Sequence, residues 1–280
     1  MTVLGERGKY TGKRAHLVQR VVTALGGTMI PGSELIPEDC GLFVRWGMRN
    51  TDDMYEALRR GTCIVCLDRG YFDATRLRRF SISVQGVHGL SQRLDSVLDL
   101  PPRPHPELQA WKPEGEGEFI QICAPGWSPG YWRSPSRQLP EHWVTTTAAN
   151  AAHAFKLPAK IRYHPSALPP GERRSPRLSE SLTETAVSVS YDSNCAVQTV
   201  IAGIPTILES PRAVAFPMAW NRMKRVTPDR EAWIHDLSHR EYDMEGEEEL
   251  DAAVAYIWAQ FKQSSKLNGA WSTYGIKEPK

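Results

Sequence analysis

Long hydrophobic runs, abundant cysteine and an excess of one charge are all missing from this sequence. No stretch of about 18 apolar residues occurs, so the sequence predicts no transmembrane helix. Five cysteines among 280 residues are an odd and low number, which argues against a disulfide framework. The 34 Lys and Arg residues nearly balance the 32 Asp and Glu residues, which excludes a polycation of the histone kind. The charged N-terminus has no apolar core of the secretory type, so we expect a cytoplasmic protein.

Three familiar motifs occur only in incomplete form. The serine-hydrolase pattern G-x-S-x-G lies at residues 126–130, but Pro129 follows the serine and has no N–H to donate to an oxyanion. A phosphate loop around Gly12 lacks its first glycine and its magnesium-binding Ser or Thr. Cys63 and Cys66 lie three residues apart in an apolar strand, where their side chains point to opposite faces. We therefore predict none of these three sites.

A proline-rich seam at residues 101–118 divides the chain. It contains five prolines and no apolar periodicity, so it forms neither a regular helix nor a central strand. Such a stretch usually runs over the surface between two folding units. We therefore predict a first domain at 1–110, a second at 111–227 and a C-terminal helical segment at 228–280.

Strand-like and helix-like segments alternate on both sides of the seam. Before it, predicted strands are TVLG, GLFVRWG and TCIVCLD, and predicted helices are AHLVQRVVTALGG and TDDMYEALRRG. After it, predicted strands are EFIQICAP, AKIRYHP, AVSVSYD and IPTILES, and predicted helices are EHWVTTTAANAAHAF and SNCAVQTVIAG. This order predicts an α/β fold with two Rossmann-like domains facing a cleft, in which ligands bind at the carboxyl ends of parallel strands.

The turn at residues 190–194 joins a predicted strand to a predicted helix. It offers several small polar residues that cap helices well. The free N–H groups of a helix start attract an anion, and the side chains of Ser193 and Asn194 would add neutral donors. An ordinary helix cap would have the same sequence, so both interpretations remain open at this point.

The run SYDSNCAVQTVIAGIPTIL resembles the donor-site motif of glycosyltransferases with the two-domain GT-B fold. In that family a turn of small residues holds the diphosphate of the sugar nucleotide, and an acidic residue one helical turn later holds the ribose. Gln198 stands at the acidic position here. AKIRYHP resembles the preceding strand, whose basic end approaches the donor. The resemblance implies C-terminal helices that cross back to the first domain, and these donor-binding residues: Arg162, His164, Ser193, Asn194 and Gln198.

Shorter collinear segments are similar to bacteriophage-encoded GT-B proteins. They are Arg45–Arg49, Leu67–Phe72, Ser81–Ser83, Gly86–Gly89 and Asp229–Leu237. Characterised proteins of this design attach a sugar to hydroxymethylated pyrimidines in phage DNA. The resemblance therefore implies DNA with a modified base as the acceptor and a nucleotide sugar, in the first place a UDP-sugar, as co-substrate, without a tightly bound cofactor or a membrane partner.

Glycosyl transfer requires a base that deprotonates the acceptor and positive charge that stabilises the departing diphosphate. No D-x-D motif occurs, so we predict no metal. Asp68 ends a predicted strand and is the predicted general base, although a salt bridge with Arg69 or Arg76 is the alternative; His88 is the second candidate. A base within duplex DNA would have to be flipped out. Contacts to acceptor phosphates are expected from Lys13, Arg14, Arg49, Arg69, Tyr71 and Arg76.

Two other functions remain compatible with the sequence. The acceptor of the same transfer could be a glycan, a lipid or a small molecule. Alternatively, the chain could be a non-catalytic nucleotide-binding or nucleic-acid-binding protein on the same fold, and Gln198 in place of an acidic residue supports this option. Residues 1–80 carry 13 Lys and Arg against 9 Asp and Glu, which suits a phosphate-bearing partner and ordinary solvated surface equally.

Overall fold

The computed structural model describes two compact units. Unit 1 holds the described residues between 1 and 103 and those from 236 onward, and unit 2 holds those between 104 and 235. The described residues are 1–7, 12–31, 35–47, 52–72, 79–84, 103–125, 140–163, 178–210, 213–219, 223–243 and 245–264. Among them, no helix combines the length and the apolar character needed to cross a bilayer.

Strands and helices alternate along the described chain. The first part contains β1 (Thr2–Arg7), α1 (Lys13–Ala24), β2 (Thr28–Pro31), β3 (Cys40–Trp46), α2 (Asp52–Arg59), β4 (Cys63–Arg69) and β5 (Arg79–Val84). The middle part contains β6 (Phe119–Cys123), α3 (Pro140–Phe155), β7 (Ala159–Arg162), α4 (Leu178–Leu182), β8 (Thr185–Ser190), α5 (Cys195–Ile201), β9 (Thr206–Leu208) and a 3-10 helix (Phe216–Met218). The last part contains α6 (Glu231–Ser238), β10 (Glu241–Asp243) and α7 (Glu247–Ser264). The predicted α/β class is confirmed.

Unit 1 is built on a six-stranded sheet with the order β10-β5-β4-β3-β1-β2. β1 pairs in parallel with β2 and β3, and β3 pairs in parallel with β4. β5 and β10 extend the sheet as antiparallel strands. The prediction that the tail is entirely helical is therefore wrong at β10. Three residues, two of them charged, are too short to carry a periodic pattern, and only pairing with β5 makes them a strand.

Both faces of the unit 1 sheet are covered by apolar side chains. On one face, Leu42 and Val44 of β3 pack with Val21 of α1 and Ile257 of α7. On the other face, Phe43 of β3 packs in a cluster with residues of α2 and β4. Because neighbouring residues of a strand point to opposite faces, the continuous apolar run of β3 fits a parallel sheet that is buried on both sides.

Unit 2 is built on a four-stranded parallel sheet with the order β7-β6-β8-β9. One face is apolar, where Ile120 and Ile122 of β6 pack with Val189 of β8 and Trp143 of α3. On the other face, four residues of β6 and β8 are polar or thiol-bearing and nevertheless buried; they are Gln121, Cys123, Ser188 and Ser190. Unit 2 therefore has an apolar core on one face of its sheet and buried polar side chains on the other.

The short strand β10 holds the end of β4 through Glu241. The carboxylate of Glu241, which is 2% exposed, accepts the backbone N–H groups of Tyr71 at 2.6 Å and Phe72 at 2.9 Å. Its other oxygen lies 3.8 Å from the guanidinium of Arg79. A Cβ at Gly70 would lie 2.9 Å from the same oxygen, so only glycine allows the carboxylate to approach the turn this closely.

We expect Glu241→Gln to lower the free energy of unfolding by about 2 kcal/mol, because the hydrogen bonds from one buried and one partly buried backbone amide lose their charge assistance. Urea denaturation followed by circular dichroism would measure it. Glu248→Gln is the matched control, since Glu248 is exposed on α7, and it should change the stability by less than about 0.5 kcal/mol. Equal stability of the two variants would contradict this role for Glu241.

Candidate functional site

The carboxyl ends of three parallel strands meet at one edge of the unit 2 sheet. Cys123, the last residue of β6, lies in register opposite Arg162 of β7 on one side and Ser190 of β8 on the other. The backbone N–H of Ala124 also donates to the carbonyl of Arg162 at 2.9 Å. The pairing therefore brings Arg162 to the same edge as the turn that follows Ser190. We call Cys123, Arg162, Ser190, Ser193 and Cys195 the strand-end cluster.

The turn after β8 is anchored by one aromatic residue and open at its tip. Tyr191 is buried and packs edge-on against Trp143 with ring centroids 6.0 Å apart. Its carbonyl accepts the N–H of Ser210 at 2.9 Å. Asp192 is exposed, and Ser193 and Asn194 are partly exposed. Tyr191 therefore fixes the start of the turn, and the side chains of Ser193 and Asn194 beyond it are accessible to a ligand.

The first amides of α5 are bonded within the turn. The N–H of Cys195 donates to the Oγ of Ser193 at 3.3 Å, and those of Ala196 and Val197 donate to the carbonyls of Ser193 and Asn194 at 3.1 Å. The expectation of free N–H groups is wrong for these three residues. They close tight turns at the start of the helix, so an anion here would depend mainly on side chains.

The strand-end cluster includes two thiols that the sequence analysis did not single out. Cys123 is 3% exposed, and its sulfur accepts a hydrogen bond from the amide of Gln121 at 3.6 Å. It also lies 3.9 Å from the Oγ of Ser188. Cys195 is partly exposed. The available signal was that one cysteine ends a predicted strand and the other begins the helix after a neighbouring strand.

The two thiols change each other's acidity. The hydrogen bond from Cys195 and, to a smaller extent, the positive charge of Arg162 lower the pKa of Cys123 to about 7, against the effect of burial. The same hydrogen bond, together with burial, raises the pKa of Cys195 well above its ordinary value. The first proton of the pair is therefore lost more readily than that of an ordinary thiol, and the positive charge of Arg162 contributes to this.

The polar face continues away from the cluster through bonded side chains. The hydroxyl of Ser181 donates to Oε1 of Gln121, and the hydroxyls of Thr199 and Thr206 are 2.8 Å apart. Ser190, which is fully buried, is different, because its hydroxyl has no hydrogen-bond partner within the described part of the chain. Burying such a group costs free energy. The orphaned hydroxyl therefore marks the strand-end cluster as a place where a polar ligand would be stabilised.

A cavity of about 410 Å³ lies beside β7 within unit 2. Its lining contains both basic and acidic side chains and includes Phe119, Gln121, Lys160, Arg162, Glu180 and Glu184. The ammonium of Lys160 lies 3.7 Å from the centroid of the Phe119 ring and 3.8 Å from the carboxylate of Glu184. The size is within the range of small-molecule sites, and Arg162 connects the cavity to the strand-end cluster.

Two more of the predicted donor-binding residues, Gln198 and Arg162, lie within the described part of the chain. Gln198 lies one turn into α5 and is partly exposed. Arg162 ends β7 and is partly exposed as well. His164 lies outside the described residues. No group of three or more His, Cys, Asp or Glu side chains within the described segments is placed to hold a metal ion.

Asp68 of unit 1 lies near the carboxyl end of β4, opposite Ser81 of β5. It is partly exposed, and its Oδ1 accepts the backbone N–H of Arg69 at 2.7 Å. Arg69 itself is exposed. His88 and Arg76 lie outside the described residues. The carboxylate is therefore held at a strand end, the position at which α/β proteins place reactive groups.

The other predicted acceptor contacts in unit 1 lie in different surroundings. Tyr71 is 1% exposed, and burial raises the pKa of its phenol, which hydrogen-bonds with Ser81 and Ser83. This placement contradicts a surface contact with a phosphate, because the phenol lies inside the core. Lys13 is exposed and lies 3.7 Å from Glu245, and the Arg14 guanidinium lies 5.5 Å from the centroid of the Trp46 ring. Arg49 lies outside the described residues.

Comparisons with known proteins give structural relatives only. No protein-family model and no curated protein matches the chain. The beta Kdo 2,4 transferase of Thermosulfurimonas dismutans KpsC matches with a TM-score of 0.53 and 11% identity, covering 87% of this chain and 92% of that chain. The beta Kdo 2,7 transferase of the same KpsC matches with a TM-score of 0.54 and 9% identity, covering 93% of this chain and 100% of that chain. At this identity the likeness concerns the fold, and the fold is that of these two glycosyltransferases.

Proposed function

We propose that this chain is a glycosyltransferase that moves a sugar from a nucleotide-sugar donor to an acceptor hydroxyl. The fold shared with two Kdo transferases supports sugar transfer at a coarse level. The observation that carries the proposal is the strand-end cluster, where Arg162 and the turn of Ser193 and Asn194 share one sheet edge with the orphaned Ser190 hydroxyl. This is the edge at which parallel α/β sheets bind nucleotides.

The donor diphosphate would be bound chiefly by side chains. Arg162 supplies a guanidinium, which binds phosphate oxygens through two parallel hydrogen bonds. Ser193 and Asn194 supply neutral donors, and Gln198 would donate to a ribose hydroxyl. His164 is a further donor-binding candidate. A UDP-sugar is the first donor to test. The cavity next to Arg162 supports the proposal because it offers space for a neighbouring part of the ligand.

Asp68 is the proposed general base. A base removes the proton of the acceptor hydroxyl as the bond to the sugar forms. Asp68 suits this role because it is the last residue but one of β4, remains partly exposed and is oriented by the N–H of Arg69. The Glu241 contacts hold the residues that follow it in the chain. His88 is the alternative base.

Two classes of acceptor are candidates, and a third candidate function has no acceptor. The similarity to phage proteins favours a hydroxymethylated pyrimidine in DNA, with Lys13, Arg14 and Arg69 on phosphates. The structural relatives are named for the transfer of Kdo, which favours the second candidate, a glycan, lipid or small-molecule acceptor. A non-catalytic nucleotide-binding protein is the third candidate, which Gln198 favours.

A nucleotide-sugar panel in a thermal-shift assay tests the donor site. A donor present at 100 times its Kd should stabilise the protein by about 2.7 kcal/mol. Arg162→Gln should weaken the Kd at least tenfold, which reduces this stabilisation to about 1.4 kcal/mol. Arg59→Gln, at an exposed arginine of unit 1, is the control and should keep the full shift. A shift that is the same in both variants would remove Arg162 from the donor site.

Asp68→Ala should lower kcat about 100-fold or more, because general base catalysis contributes at least this factor. The Kd for the donor should stay within about twofold of the wild-type value. Steady-state turnover and calorimetric donor titration would measure the two effects. Asp251→Ala, at an exposed carboxylate of α7, is the control. Unchanged turnover of Asp68→Ala would assign the base to another residue.

Duplexes with and without hydroxymethylated pyrimidines separate the acceptor classes. If DNA is the acceptor, mass spectrometry should find one added sugar per modified base and none on the unmodified duplex. Transfer to a glycan, lipid or small molecule instead would establish the second candidate. Tight donor binding with neither transfer nor donor hydrolysis would establish the third.

A further inference from the structure

The fourth strand of the unit 2 sheet ends at the same edge as the strand-end cluster. β9 pairs in parallel with β8, and its last residue, Leu208, lies in register opposite Ser190. Glu209 follows directly, and its backbone N–H donates to the carbonyl of Ser190 at 3.4 Å. The next residue, Ser210, donates its N–H to the carbonyl of Tyr191 at 2.9 Å. Glu209 is therefore held beside the first residues of the turn that is proposed to bind the donor.

The side chain of Glu209 is both accessible and oriented. The residue is exposed, and its Oε2 accepts the indole N–H of Trp143 at 2.8 Å. Trp143 of α3 is 2% exposed and packs edge-on against Tyr191, so the position of this donor is fixed by packing. A carboxylate accepts about four hydrogen bonds, and the indole uses one of them. The remaining capacity suits hydroxyl groups of a ligand that lies along the strand ends.

Strand, turn, helix and parallel strand follow one another here in the order found in dinucleotide-binding α/β folds. In those folds the turn after the first strand binds the diphosphate, and an acidic residue about 20 residues further on binds a ribose hydroxyl. β8, the turn at 190–194, α5 and β9 have this order, and Glu209 follows the turn by about this spacing. The turn has none of the glycines of that motif, so the likeness is one of topology and spacing.

We propose that Glu209 is a donor-binding residue that accepts hydrogen bonds from the ribose hydroxyls of the nucleotide sugar. This role rests on the proposed function, because it needs a nucleotide bound at the strand-end cluster. A carboxylate forms stronger hydrogen bonds with hydroxyl groups than an amide does, so Glu209 supplies from the end of β9 the acidic group that position 198 lacks. It also makes the site selective for ribonucleotides, since a site that hydrogen-bonds a hydroxyl rejects the analogue without it.

Matched nucleotides test this contact in calorimetric titrations of the full chain. The probes are UDP, CDP, ADP and GDP, each with its 2′,3′-dideoxy form. We expect the wild-type protein to bind its preferred ribonucleotide about tenfold or more tightly than the dideoxy form, because hydrogen bonds to a charged group are lost in the latter. In Glu209→Gln this ratio should fall to about threefold or less, because the amide accepts hydroxyl hydrogen bonds more weakly. The Kd of the dideoxy form should stay within about twofold of the wild-type value, since that form does not use the contact.

Three variants separate a contact with ribose from a structural role. Glu209→Gln keeps an amide oxygen that accepts the indole N–H of Trp143, and the side chain is exposed, so we expect it to fold as the wild type does. Glu114→Gln, at an exposed carboxylate that precedes β6 in unit 2, is the matched control and should keep the full ratio. Gln198→Ala should reduce the ratio less than Glu209→Gln does.

Three results would overturn the role of Glu209 and leave the donor site intact. They are equal Kd values for the ribose and dideoxy forms in the wild-type protein, a ratio that Glu209→Gln leaves unchanged, and an equal loss of affinity for both forms in that variant. The last result is the sign of a purely structural contact with Trp143. Failure of the wild-type protein to bind any of the nucleotides would instead reject the proposed function, and the role of Glu209 with it.

Discussion

The parallel pairing of β6 with β7 and β8 is the constraint on which unit 2 depends. Every backbone N–H and C=O of a central strand must be hydrogen-bonded, so the register of β6 is fixed on both sides. A slip by one residue would turn Gln121 and Cys123 into the apolar core and Ile120 and Ile122 out of it. The same register places Cys123 between Arg162 and Ser190. The apolar core and the candidate site therefore depend on the same strand register.

The buried polar side chains on one face of this sheet are costly for stability. An apolar face would bury the same area without the cost of desolvating hydroxyl and amide groups. Most of these groups recover the cost through hydrogen bonds, as Thr199 does with Thr206. Ser190 does not do so within the described residues. A polar ligand at the strand-end cluster, such as the proposed donor, would complete this face.

Unit 1 depends on the return of the chain end. β10 adds the sixth strand, and its Glu241 fixes the backbone that follows the candidate base Asp68. Arg103 binds the same region, donating to the carbonyl of Ser238 at 3.1 Å and to Glu249 at 2.8 Å. The surroundings of a strand end near the start of the chain are thus set by residues near its other end. Mutations in the tail are therefore relevant to the candidate catalytic residue.

The sequence by itself determined the alternation of strands and helices, because an apolar run such as that of β4 or a helical repeat such as that of α1 is a local property of the chain. It also indicated the strand ends at Asp68 and Arg162. It did not determine β10, the burial of Tyr71, the internal hydrogen bonds at the start of α5 or the register that places Cys123 between Arg162 and Ser190. Each of these depends on which distant segments pair and in which register. Only the tertiary structure decides that, because the energy of a pairing belongs to both partners at once.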